Sequence, residues 1–211
     1  MKTIVKSEVP PCLRQAQGKG WNWDEFRTNA YDDYLSVRSQ ALVDQKDECA
    51  YTGLWLGMGT THTLHIDHFH KKAIFPEETL SWENLFAAAK NRNDGADYKD
   101  RQIHGTKSDA EKQYRAFWSP LEANLSQAFW YRQDGVVEPD EKLSDEEKEM
   151  AQHTIDMYNL NSPDLRNRRL GIIRLLNTLQ DLCDDDIRQC TKTAGFSFLV
   201  DFELSQLSNR K

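Results

Sequence analysis

Residues 64–69 read Leu64-His65-Ile66-Asp67-His68-Phe69, and the reading of the whole chain turns on this stretch. Thr61-His62-Thr63-Leu64-His65-Ile66 alternates at the period of a strand. Gly53, Gly57 and Gly59 punctuate the aromatic and β-branched residues before it, so a β-hairpin is expected within residues 49–69. Successive strand side chains point to opposite faces, which puts His65 and Asp67 on one face and His68 on the other unless the strand ends and turns there. Four of the six histidines, His62, His65, His68 and His70, fall within nine residues. A carboxylate beside an imidazole at a strand end can bring a metal and a base to one phosphate. The carboxylate is a hard oxygen ligand suited to Mg²⁺ or Mn²⁺, and a neutral imidazole can take a proton from water at about pH 7. Asn84 follows seventeen residues beyond Asp67, and Asn93 nine beyond Asn84.

Working outward, residues 84–89 are short and apolar, and the polar, glycine-containing residues 91–97 form a turn that feeds a helix. The N-terminal stretch to Gln17 reads as extended around Pro10-Pro11, with Thr3-Ile4-Val5 as a short edge strand. Phe26, Ala30, Tyr34, Val37 and Leu42 recur at helical spacing, predicting one amphipathic helix over 24–43. A helix is expected over 108–118. Phe129-Trp130-Tyr131-Arg132 and Val136-Val137 flank Gln133-Asp134-Gly135, the signature of a second short β-hairpin. Ser144-x-x-Glu147 is a capping box, so the acidic run 138–149 opens a solvated helix reaching Leu160. Ser162-Pro163 starts another helix with Leu165, Ile172, Ile173, Leu176 and Leu179 on its apolar face. Its Arg166, Arg168, Arg169 and Arg174 could touch phosphate, but surface or intersubunit salt bridges, as with Asp181 and residues 184–186, are the expectation. A terminal helix over 196–207 packs Leu199, Phe202 and Leu207. The expected class is α+β: a mainly α-helical body around a small hairpin-helix element, plus the second hairpin. Residues 1–48, 49–107 and 108–211 are its parts within one compact unit.

The 211 residues carry a formal charge of −7, which excludes a generally basic nucleic-acid coat and requires any nucleic-acid site to be local. Cys12, Cys49, Cys183 and Cys190 lack Cys-x-x-Cys spacing, so neither a disulfide framework nor a zinc site is written here, and buried reduced thiols are expected. No run approaches the roughly 18 to 20 apolar residues of a membrane span, and residues 1–9 lack the apolar stretch of a signal peptide. A cytoplasmic protein with no membrane partner is the expectation.

At His65-Ile66-Asp67-His68-Phe69, Trp82-Glu83-Asn84-Leu85 and residues 91–99 the chain resembles the HNH (ββα-metal) endonucleases. By that resemblance Asp67 is a metal ligand and His68 the general base that activates water. Asn84 holds the loop carrying His68, and Asn93 is the second protein ligand, with Asp97 and Asn91 as alternatives for that slot. The cofactor implied is a divalent metal, Mg²⁺ or Mn²⁺, which stabilises the departing 3′ oxygen. His65 and His62 orient the site from behind, although His62 and His70 on their own read as surface or hairpin residues. Lys71, Lys72, Lys90 and Arg92 surround the motif and would bind backbone phosphates, supplying the local positive charge.

More of the chain resembles the HNH nuclease subunit of Septu-type and retron-linked bacterial antiphage systems (PtuB-like). The features are Ile4-x-Lys6 before Pro10 and Pro11, Cys49-Ala50-Tyr51, His65-Ile66-Asp67-His68-Phe69 with Lys72, and Leu80-Ser81-Trp82-Glu83-Asn84-Leu85. Asp134-Gly135-Val136 with Pro139 and Leu160-Asn161-x-x-x-Leu165-x-x-Arg168 follow. The resemblance implies an endonuclease effector that hydrolyses DNA under control of an ABC-type ATPase partner. In retron systems a reverse transcriptase with its multicopy single-stranded DNA joins them. Relatives generally frame the element with two zinc-binding Cys-x-x-Cys pairs. Here only Cys49 remains, with Thr52 where its partner would sit, so structural zinc is not expected. Asp67 stands where Glu is common, and Lys71 where Pro is common. The same site would serve an RNA- or tRNA-cleaving enzyme, because it reads phosphate. A non-catalytic nucleic-acid-binding subunit is the third reading, and the intact Asp67-His68 and Asn84 argue against it.

Overall fold

The computed structural model describes residues 1–208. Helices α1 (Pro11–Gly18), α2 (Trp23–Asn29) and α3 (Tyr31–Asp44) precede strand β1 (Leu64–His68); β2 (Leu85–Ala89), α4 (Gly95–Gln102) and α5 (Lys107–Tyr114) follow it. Then come β3 (Phe129–Tyr131), β4 (Val137–Pro139), α6 (Asp145–Met157), α7 (Pro163–Thr178), α8 (Asp184–Thr191) and α9 (Ser197–Ser208). The class is α+β, about half helical, with two small antiparallel hairpins.

β1 does not pair within residues 49–69 as expected from sequence. Its partner is β2, with Leu64 opposite Ala89 and His68 opposite Leu85. The glycine-punctuated residues before β1 contribute only an isolated bridge between Glu48 and Trp55. β2 can take the central place because all five of its residues are small or apolar enough to be buried. Its outer edge is closed by the Gln45 amide, which donates from Nε2 to the Ala87 carbonyl (2.8 Å) and accepts the Ala87 N–H (2.9 Å). The polar backbone of a buried strand is thereby satisfied.

The single helix expected over 24–43 is two. Asn22 and Glu25 form a capping box at α2, and Ala30 leaves helical geometry (φ −140°, ψ 57°) before α3 begins. Trp23 and Phe26 are buried from the first helix, Val37 and Ala41 from the second. Pro10-Pro11 opens α1 rather than extending the chain, since Pro11 at the first helical position lacks only an N–H that would have no intrahelical partner. Residues 3–5 form no strand. They run as a strap in which the Ile4 N–H donates to the Pro120 carbonyl (2.8 Å) and Thr3 Oγ1 to the Glu122 carbonyl (2.8 Å). The second hairpin and the Ser144 capping box form as expected.

The arginines of α7 do not pair with Asp181 or residues 184–186. Arg166 meets Asp134 (3.0 Å), Arg168 meets Asp164 (2.8 Å), and buried Arg169 donates to the carbonyls of Gly135 and Leu160. Asp184, Asp185 and Asp186 are instead the first turn of α8, where the helix dipole favours negative charge. Of the cysteines only Cys49 is buried; Cys183 and Cys190 are exposed, and all four are free. Leu199 is buried and Phe202 packs against the core from α9, while the side chain of Leu207 lies outside the described ones. One continuous set of buried side chains runs from Leu13 and Phe26 through Leu85 and Phe86 to Tyr158, Leu165 and Leu199, joining hairpin and helical body.

Candidate active site around Asp67 and His68

Strand alternation divides the motif between two faces. Asp67 and His65 face α4: Lys99 reaches Asp67, and Asp97 lies 3.9 Å from His65 Nε2. His68 faces α2, where its ring stands edge-on to Trp23 at 4.8 Å between centroids.

Asp67 is buried, and both of its hydrogen bonds land on Oδ2: one from the Tyr51 hydroxyl, one from Lys99 Nζ at 3.0 Å. Burial, with the Asp67 charge adding to it, pushes the Tyr51 phenol well above its usual pKa, so it stays protonated and donates. The Lys99 side chain has 0% of its surface exposed. It also donates to the carbonyls of His68 (3.0 Å) and Phe69 (2.8 Å) and lies 3.2 Å from Asp100 Oδ1. Burial raises the Asp100 pKa and Lys99 opposes that rise. Asp67 Oδ1 has no hydrogen-bond partner among the described residues.

His68 Nε2 lies 3.0 Å from the Thr79 carbonyl. A carbonyl only accepts, so Nε2 carries the hydrogen and Nδ1 keeps its lone pair in the neutral ring. Burial holds the His68 pKa below the ordinary 6.5, against the pull of the Thr79 bond and of Asp67. A neutral imidazole fixed in one tautomer, with Nδ1 free of hydrogen bonds from the described residues, can accept a proton.

Asn84 is buried immediately before β2. Its Nδ2 donates to the carbonyls of His70 and Glu78 (both 3.2 Å), and its Oδ1 accepts the His70 N–H (2.7 Å). The segment leaving β1 is thus stitched to the start of β2. His70 belongs to the same segment, with Nδ1 2.6 Å from Glu78 and its ring against Tyr114 at 4.5 Å.

Other predicted residues lie as follows. Asn93 is exposed in the turn before α4, and its carbonyl accepts from Asn159 Nδ2 (2.7 Å). Asn91 donates to Asp94 (2.9 Å). Half-buried His62 lies within the electrostatic reach of Arg168 and Asp164 on α7; burial first, then Arg168, lowers its pKa. Lys71 Nζ caps the end of α4 through the carbonyls of Asp100 (2.7 Å) and Ile103 (3.3 Å). Lys72 pairs with Asp24 at 3.0 Å in solvent, and Lys90 and Arg92 are exposed, without ion pairs among the described residues. The structure therefore sets Asp67 and His68 next to each other at the end of β1 but on opposite faces, with Asn84 bracing the segment that follows, and His65 meets Asp97 farther along the face of Asp67.

Sequence reasoning missed Lys99, Tyr51, Thr79 and Trp23 as neighbours of the site. For Lys99 a signal exists: Ala96 and Lys99 share the buried stripe of a short helix, with buried Ile103 just beyond its end, and a lysine in such a stripe must meet a counter-charge.

Among the described residues no three His, Cys, Asp or Glu side chains converge as a metal cage. The donor chemistry still fits a hard divalent ion, because Mg²⁺ is commonly bound through one or two carboxylates with waters and substrate phosphate completing the shell. Asp67 Oδ1, which accepts no hydrogen bond from the described residues, would be one such oxygen. The sequence matches no protein-family model and no curated protein.

Proposed function

We propose that the chain is a metal-dependent HNH endonuclease, the effector subunit of a cytoplasmic antiphage system, hydrolysing DNA phosphodiester bonds under control of an ABC-type ATPase partner. In a retron setting the reverse transcriptase and its multicopy single-stranded DNA belong to the same assembly. The observation that carries the reading is the bracing of the segment after His68 by Asn84, in a hairpin followed by a helix whose face meets Asp67.

Asp67 Oδ1, with Asn93 or Asp97, would hold Mg²⁺ or Mn²⁺. The bound ion supplies charge stabilisation at the phosphate and the leaving 3′ oxygen. His68 Nδ1 takes a proton from water as the water oxygen bonds to phosphorus and the bond to the 3′ oxygen breaks. Thr79 keeps Nδ1 as the accepting nitrogen, and Trp23 fixes the ring plane. Exposed Lys90 and Arg92 are free to meet phosphate. Lys72 can exchange its solvent-exposed partner Asp24 for phosphate at little cost, whereas Lys71 is engaged at the end of α4.

The test is cleavage of plasmid, single-stranded DNA and total RNA by the protein with its partner, in Mg²⁺ or EDTA. His68→Ala should lower the rate by about 100-fold or more. Equal cleavage by His68→Ala defeats the mechanism, and cleavage confined to RNA transfers the reading to an RNA nuclease. The Lys99 ammonium on Asp67 favours a second reading, a non-catalytic nucleic-acid-binding subunit, which predicts binding without cleavage in every metal.

A further inference from the structure

Lys99 is a buried cation in direct contact with the carboxylate that the nuclease reading assigns to the metal. Its ammonium meets Asp67 Oδ2, two main-chain carbonyls and Asp100 Oδ1, so it is held from several sides and cannot swing away as a surface lysine does. The Tyr51 hydroxyl fills the remaining approach to Oδ2. The outcome is a carboxylate with one oxygen neutralised and one left over.

Resting on the proposed nuclease reading, we propose that Lys99 is a positioning residue that makes cation binding depend on substrate. It fixes Asp67 so that Oδ1 alone is offered, and its fixed charge repels a divalent ion strongly enough that the ion binds well only when a substrate phosphate adds negative charge and oxygen ligands. Like charges in a site of low effective dielectric interact far more strongly than in water, and the coupling is reciprocal: phosphate raises metal affinity as metal raises phosphate affinity. The free enzyme would then be mostly metal-free.

The measurement is Mn²⁺ binding to the full chain by titration calorimetry and by the electron paramagnetic resonance of free Mn²⁺, with and without a non-cleavable phosphorothioate oligonucleotide. Wild type should gain at least about tenfold in Mn²⁺ affinity when the oligonucleotide is present. Lys99→Met, which keeps the length of the chain without its charge, and Lys99→Gln, which also keeps a donor, should bind Mn²⁺ at least about tenfold more tightly than wild type without oligonucleotide. Lysine acting merely as structural support would give the opposite sign, a loosened site with weaker Mn²⁺ binding and a lower unfolding midpoint. Equal Mn²⁺ affinity of wild type with and without oligonucleotide overturns the proposal without any variant. Failure of the nuclease reading has a separate signature: wild type and Asp67→Asn both fail to bind Mn²⁺ under either condition.

Discussion

Asn84 satisfies three half-buried backbone groups with one side chain, and no other residue type offers two donors and an acceptor in that geometry. Asn84→Ala should destabilise the protein by about 1–2 kcal/mol, since a half-buried N–H and two carbonyls lose a partner that water replaces only in part. Asn84→Asp should do no better despite its similar shape, because it turns a carboxylate oxygen toward the carbonyls of His70 and Glu78. Urea unfolding of the two variants checks both statements, and an aspartate variant as stable as wild type would refute this role for the brace. Asp67, His68 and Asn84 are legible in the sequence because their spacing is local to two strands and the connection between them. Lys99 is not, because its contact depends on the angle at which α4 crosses a strand 31 residues earlier, a quantity that no local pattern encodes. Thr79 is invisible for another reason: it acts through its carbonyl, which every residue possesses.

Elements are legible where the signal is a cap or a tight turn and hidden where it is strand pairing. Ser144 with Glu147 and Ser162 with Pro163 mark helix starts through bonds within four residues. β2 is Leu-Phe-Ala-Ala-Ala, of weak intrinsic strand preference, and becomes a strand because β1, Gln45 and α4 surround it. The break at Ala30 is equally hidden, since the apolar spacing runs through it while the capping box at Asn22 fixes only where α2 begins. The turn between β3 and β4 rests directly on α7: Gly135 has φ +82°, and a Cβ there would lie 2.4 Å from the Arg166 carbonyl oxygen. Gly135→Ala should therefore cost more than about 2 kcal/mol, combining backbone strain with a backbone clash. Gly171 lies on the solvent side of α7 with open space where a methyl group would sit, and should respond oppositely, Gly171→Ala gaining about 0.5–1 kcal/mol. Equilibrium denaturation of the pair gives two signs, one from the turn and one from the helix beneath it, and a stabilising Gly135→Ala would contradict the packing of this turn on α7.

At the scale of the molecule, the charge of −7 reports only a sum. Much of the basic charge is paired or capping, and the strap formed by the first residues carries the most perturbed lysine. Lys6 donates to the Leu85 carbonyl and lies over the rings of Trp82 (3.8 Å) and Phe86 (4.5 Å). Burial lowers its pKa from 10.5 to about 7, opposed by Asp44 and Glu83. The unfolded chain keeps the proton up to the higher value and the folded chain only below the lower one. Between them the unfolded state binds more protons, and this group makes stability rise with pH across that window. Wild type should thus gain stability relative to Lys6→Met on going from about pH 7 to about pH 10, and urea midpoints that keep a constant difference would contradict the burial of this amine.

The corner between α6 and α7 holds the start of α4. The Gly95 N–H donates to the Tyr158 carbonyl (2.9 Å), Ser162 Oγ to Asp94 (3.0 Å), and Asn159 Nδ2 to the Asn93 carbonyl (2.7 Å). In terms of recombination, residues 64–102 are not a transferable cassette. Moved into a foreign host alone, they would arrive with a buried aspartate lacking its serine and a helix lacking its anchor. Productive crossover points must carry residues 158–162 along, so drift at that corner and drift in the hairpin are bound to proceed together.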